Sequence, residues 1–292
     1  MKIYFISKII NKFIASNFSS AGSKEIFDKN FYSIVTQLEN LTGLRLDQKK
    51  HPLVQHLISA KRNYYSGKKR LGCAKTTFTK LALEDLQKIL TYDKGLYEHF
   101  RKELLRNSLP LQNYFGLRLE LRMAASLIDA KIPFIKSEIP DFILNKPINI
   151  GIECTSAHLN LFTINRPKQV IYKVVSAIEK KNGYTYKTPL NILTIDITNL
   201  LHHEGQKQCN RILADMDKSR PLLIGKVNES VFEALIYFYY AAIPLKNGNG
   251  VKLQSCYTRI DKNKINPDCK KFLDIKYPYG DMWVEGNLFK IV

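Results

Sequence analysis

Residues 140–156 read PDFILNKPINIGIECTS, and this stretch decides the fold. Two short β-rich runs, Phe142-Ile143-Leu144 and Ile150-Gly151-Ile152, flank Asn145-Lys146-Pro147, which has the composition of a hairpin loop. The spacing predicts two antiparallel strands. Asp141 heads the first and Glu153 lies near the end of the second, so pairing brings both acids to one edge of a sheet. An acid in either place is costly unless it is paired or metal-bound. Two converging carboxylates suit Mg²⁺ (or Mn²⁺), a cation that takes oxygen ligands and keeps several waters. Such an ion polarises a phosphodiester, orients an attacking water and stabilises the leaving oxygen.

Upstream, residues 112–130 (QNYFGLRLELRMAASLIDA) carry Leu117, Leu119, Met123, Ala124, Leu127 and Ile128 as a broad apolar stripe, which predicts a helix. Glu120 lies within it, flanked by Arg118 and Arg122. Two readings stay open: an acid reaching the Asp141–Glu153 site, or a surface glutamate in an ion-pair ladder of little energetic weight. IPFIKS (132–137) reads as a short strand. Downstream, residues 166–182 return to helical period, with Pro167 suited to a first turn, and residues 189–197 (PLNILTIDI) read as a buried strand. The order is helix, three strands, helix, strand. A further helix is expected over 206–218. Strands are expected over 232–243 and over VKLQSCYTRID (251–261), with Gly248-Asn249-Gly250 as the turn. Residues 108–292 thus read as one mixed α/β domain. Residues 1–107 read as a mainly helical region suited to nucleic-acid binding or dimerisation, ending where NSLPL breaks the pattern.

Gly116-x-x-x-Glu120, Pro140-Asp141-Phe142 and Ile152-Glu153-Cys154-Thr155, in that element order, resemble the PD-(D/E)XK nuclease superfamily, the restriction-endonuclease-like fold. The resemblance covers residues 110–200. It implies an αβββαβ core and an Mg-dependent endonuclease that hydrolyses phosphodiester bonds, DNA before RNA, in restriction, phage or mobile-element conflict. It implies Asp141 and Glu153 as metal ligands and Glu120 as an accessory acid. Enzymes of this kind often pair as homodimers to cut both strands. This chain departs from the family at Thr155, where the motif lysine usually stands. Some members supply that lysine from the following helix. If that helix runs back against its strand, its first turns lie nearest Glu153, which selects Lys173, beside Gln169 as a nucleic-acid contact, over Lys180 and Lys181. Lys181 falls on the apolar side, where a lysine can snorkel. The alternative is a catalytically inactive nucleic-acid-binding protein of the same fold.

The charge balance favours nucleic acid as the partner. There are 45 Lys+Arg against 26 Asp+Glu, a net charge of +19, and contacts to phosphates release counterions. The segment 49–75 concentrates Lys61, Arg62, Lys68, Lys69 and Arg70 around Tyr64 and Tyr65, a composition able to track a backbone and stack on bases. A solvated helix face with a loop is the equal alternative. The five cysteines are scattered and lack metal-ligand spacing, as in reduced thiols of a cytoplasmic (intracellular) protein.

Residues 1–15 read as an amphipathic helix without a secretory core; a transit peptide and a membrane-surface anchor are the lesser readings. No apolar run is long enough to span a bilayer. His202-His203-Glu204 with Cys209 does not have zinc spacing. Ser156 with His158 lacks the further groups a nucleophile pair needs. Asp196 reads as a helix cap, and Tyr257 and Arg259 as sheet-edge residues. No phosphate-binding glycine loop is present.

Overall fold

The structure is a computed structural model that describes residues 24–106, 111–145, 148–158, 169–202, 206–244 and 251–278. The expected segments at 1–23, Pro167, His203-Glu204 and the 248–250 turn lie outside these residues, as does most of the 107–111 break.

Four helices open the chain: α1 (Lys24–Thr42), α2 (Pro52–Tyr65), α3 (Lys69–Tyr92) and α4 (Lys94–Leu105). Their boundaries follow local chemistry. Pro52 occupies the first turn of α2, where its missing N–H costs nothing, and the His51 ring accepts the Leu53 N–H. Asp93 caps α4 by accepting the Leu96 N–H at 2.7 Å. The α2 and α3 backbones approach closely because position 72 is glycine. A Cβ there would lie 2.7 Å from Tyr64 Cβ and 2.8 Å from the Ala60 carbonyl oxygen.

Helix α5 (Leu111–Asp129) leads into β1 (Ile135–Lys136), β2 (Phe142–Leu144) and β3 (Ile150–Ser156). Then come α6 (Gln169–Asn182), β4 (Leu190–Asp196), α7 (Thr198–His202), α8 (Gln206–Lys218), α9 (Arg220–Lys226), β5 (Phe232–Pro244), β6 (Val251–Asp261) and α10 (Pro267–Lys276). The six strands form one mixed sheet in chain order. The β1–β2, β2–β3 and β5–β6 pairs are antiparallel, while β3–β4 and β4–β5 are parallel, with helical crossovers between the parallel strands. The expected hairpin, the helix–strand order and the mixed α/β class are all present. Helices α7, α9 and α10 were not anticipated.

Alternation along the strands divides the sheet into two buried faces. Ile150, Ile152, Cys154, Ile192, Ala234 and Ile236 face α5 and the N-terminal helices. Leu193, Ile195, Leu235 and Tyr237 face Val174 and Ile178 of α6 and Ile212 of α8. The first face belongs to a continuous core running from Phe27 to Tyr277, in which Phe78 of α3 meets Phe115 and Tyr240. The helical region before residue 107 and the α/β region after it therefore share one apolar interior.

Candidate active site

Strand β2 pairs with β3 in the register Phe142↔Ile152. One step further, Asp141 stands opposite Glu153, as the hairpin reading requires. Asp141 is nearly buried, and its Oδ2 accepts the Cys154 N–H at 2.7 Å. Glu153 is only 1% exposed and faces the α6 side of the sheet. Gly151, the preceding residue on that face, leaves the room: a Cβ there would lie 2.6 Å from Pro140 Cγ and collide with the Asn191 and Thr188 side-chain oxygens.

Glu120 joins this pair from α5. Its flanking arginines turn elsewhere, which removes the ion-pair-ladder reading. Arg122 Nη1 bonds Asp85 Oδ1 of α3 at 2.8 Å. The buried guanidinium of Arg118 lies 3.7 Å from the Phe78 ring and 4.5 Å from the Tyr240 ring, and 3.7 Å from Asp196 Oδ2. Glu120 instead meets Lys136 of β1, whose Nζ lies 3.0 Å from Glu120 Oε2 and 3.1 Å from Asp141 Oδ1. The same ammonium donates to the Ser137 carbonyl at 2.9 Å.

Glu153 Oε1 pairs with Lys181 of α6, while Glu153 Oε2 is buried without a hydrogen-bond partner among the described residues. This corrects the choice of Lys173, which lies half-buried in the second turn of α6. The reason is geometric. The seven-residue β3 and the 14-residue α6 are each about 20 Å long. Glu153 is the middle residue of its strand, so it faces the middle of the antiparallel helix. Helical side chains slant toward the N-terminus. Lys181 in the last turn therefore leans back onto Glu153, whereas Lys173 leans away from it.

Burial and mutual repulsion load this site with charge strain. Burial, reinforced by Asp141, pushes the Glu120 carboxyl up to about 7 against the opposing pull of Lys136. Burial and Asp141 likewise push Glu153 up to about 7, against the pull of Lys181. Burial alone would lower both lysines. Glu120 and Asp141 outweigh it at Lys136, and Glu153 outweighs it at Lys181, so both ammoniums titrate above the ordinary lysine value. The Tyr186 hydroxyl, raised by burial and then by Glu153 and Asp141, donates to the Lys181 carbonyl at 3.0 Å.

Among the described residues no group of three or more His, Cys, Asp or Glu side chains is arranged to hold a metal ion. A cation that keeps several waters needs only one or two carboxylates. Asp141 and Glu153, with an unpartnered Glu153 oxygen and a local excess of negative charge, fit that demand.

The other candidate positions lie elsewhere. Lys61, Arg62, Lys68, Lys69 and Arg70 lie on α2, the following turn and the start of α3. All but the half-buried Lys61 are exposed. Lys61 Nζ lies 2.8 Å from the Tyr32 hydroxyl. Tyr64 is no stacking platform: it is buried, ring on ring with Phe27 at 3.7 Å. Tyr65 remains exposed, its hydroxyl on Asp28. Gln169 opens α6. Asp196 does cap the next turn, Oδ1 accepting the Thr198 N–H at 2.8 Å. Ser156 Oγ and His158 Nε2 are 2.8 Å apart. Arg259 is buried on edge strand β6, bound to Asp261 and Asp274, and Tyr257 donates to the Pro278 carbonyl. Cys73, Cys154, Cys256 and Cys269 are buried. Among the described residues no helix is long and apolar enough to cross a membrane. Lys136 was missed although its segment reads as a strand, because its meeting with Glu120 of a distant helix is set by tertiary packing.

No family model matches the chain, and neither a curated protein nor a solved structure does.

Proposed function

We propose that this chain is a divalent-cation-dependent nuclease with a restriction-endonuclease-like core, acting on DNA in preference to RNA. The observation that carries the reading is Asp141 facing Glu153 across β2–β3, with Glu120 joined to Asp141 through the Lys136 ammonium and one Glu153 oxygen left without a hydrogen-bond partner among the described residues. Asp141 and Glu153 would hold Mg²⁺ or Mn²⁺, which supplies Lewis acidity toward a phosphodiester oxygen and a lowered pKa for a bound water. The chain's own groups do the rest. Lys181 pulls the Glu153 carboxyl toward its ionised form against the effect of burial, and offsets negative charge beside a phosphate, the task left open by Thr155. Glu120, held near neutrality in its proton affinity, is placed to exchange a proton at the site. The basic surface of α2 and α3 binds the backbone without reading sequence.

The test is cleavage of supercoiled plasmid in Mg²⁺ or Mn²⁺ by the wild type, Asp141→Asn and Glu153→Gln. Each variant is expected to lose about 10²-fold or more in rate, the scale for removing a group that acts in the transition state. Equal cleavage by all three proteins removes the proposal. The alternative, a non-cleaving nucleic-acid binder, draws on the lysine already held by each acid. It predicts salt-sensitive binding with no chelator-sensitive turnover.

A further inference from the structure

We infer that Lys136 is a resident competitor for the cation: a divalent ion enters on the Glu120–Asp141 side by displacing the Lys136 ammonium, while Lys181 stays on Glu153. The inference rests on the metal-dependent reading above and deepens it. Lys136 Nζ bridges two carboxylates from different elements, 3.0 Å from one and 3.1 Å from the other. That is the place of a shared cation, filled by a side chain. The two lysines differ in what their departure leaves behind. If Lys181 left, Glu153 would be 1% exposed with both oxygens unpaired, the costly outcome for a buried charge. If Lys136 left, Asp141 would still accept the Cys154 N–H, and the Glu120 side chain, 21% exposed, could reach water.

The scaffolds differ in the same sense. Lys181 sits on a 14-residue helix packed on the sheet through Val174 and Ile178. Lys136 sits on a two-residue edge strand held by two register pairs, beside the half-exposed Ile135. A site occupied by its own lysine for about nine-tenths of the time shows an apparent cation affinity lowered about tenfold. The ion that binds best must therefore offset an existing pair, which sets a threshold on free cation before the site loads.

The experiment is amine labelling of the full chain with an acetylating reagent, read by peptide mass spectrometry, in chelator and across a Mn²⁺ titration followed in parallel by calorimetry. Lys136 acetylation is expected to rise about fivefold or more along the calorimetric isotherm, with Lys181 unchanged. Lys136→Met is expected to tighten Mn²⁺ binding about tenfold. Mn²⁺ binding that leaves Lys136 labelling flat, or Mn²⁺ affinity unchanged or weakened in a folded Lys136→Met, overturns the displacement and leaves the nuclease reading standing. Absence of Mn²⁺ binding by both proteins overturns the two together.

Discussion

Replacing Lys181 by methionine removes the ammonium paired with a carboxylate that is 1% exposed, and the cost of this change depends on pH. In the wild type, burial and Asp141 raise the Glu153 carboxyl from 4.5 to about 7. A carboxyl raised on folding favours the native state while it is protonated. That stability is fully present below pH 4.5 and is lost as pH rises to about 7. At about 1.4 kcal/mol per unit, it amounts to about 3 kcal/mol. Above that pH the wild-type carboxylate ionises against Lys181 and the loss stops. In Lys181→Met no ammonium meets the charge, so the carboxyl holds its proton further and stability keeps falling by about 1.4 kcal/mol per unit. The gap between the two proteins is then about 2 kcal/mol at about pH 8.5. At about pH 5.5 both proteins carry a neutral Glu153, and only the contact of the Lys181 ammonium with the Tyr184 ring is lost, about 0.5 kcal/mol. Urea denaturation in chelator at the two pH values measures both gaps. An equal gap at both, or a larger one in acid, refutes the assignment of Lys181 as the counter-ion of a strained carboxyl.

The other predictions concern packing, the arginine between layers and the basic face. Gly151→Ala drives a methyl into Asn191, Thr188 and Pro140, and is expected to cost about 1–3 kcal/mol in urea denaturation; a neutral result contradicts the close approach of those side chains. Arg118→Met keeps an apolar body between Phe78 and Tyr240 but strands Asp196, leaving it the Thr198 N–H, so a loss of about 3 kcal/mol is expected; a stabilised variant shows that the pair is dispensable. Combined Lys68→Gln, Lys69→Gln and Arg62→Gln is expected to lower the salt dependence of DNA binding by about one phosphate contact per residue removed. An unchanged slope in a salt titration of fluorescence anisotropy places the DNA elsewhere.

The hairpin was legible because its turn residues and its two β runs are local signals. From these alone the Asp141–Glu153 juxtaposition follows. The long periodic segments, α5, α6 and β4, were legible for the same reason. What escaped is what periodicity does not encode. The strand carrying Lys136 was legible, but the packing that brings its ammonium to Glu120 and Asp141 was not. Lys181 was set aside on the expectation that the first turns of the helix lie nearest Glu153; Glu153 instead stands mid-strand opposite the middle of the helix, and a lysine of the last turn slants back to it. Tyr64 looked like part of a basic stacking surface, yet one position in a helix separates it from the exposed Tyr65, and that turn sends it into the core against Phe27. The short helices α7 and α9, five and seven residues long, are too brief for a helical period to show.

Helix α5 works as an axle between two gears. One side carries Glu120 toward the acids, while Arg122 grips Asp85 of α3 and Arg118 is clasped by Phe78 of α3 and Tyr240 of β5. Glu120 is thus held in place by a helix whose neighbouring contacts belong to the N-terminal layer. Severing the chain near residue 107 would strip the bearing surface from this axle, so a trimmed C-terminal fragment is a poor surrogate for the whole molecule.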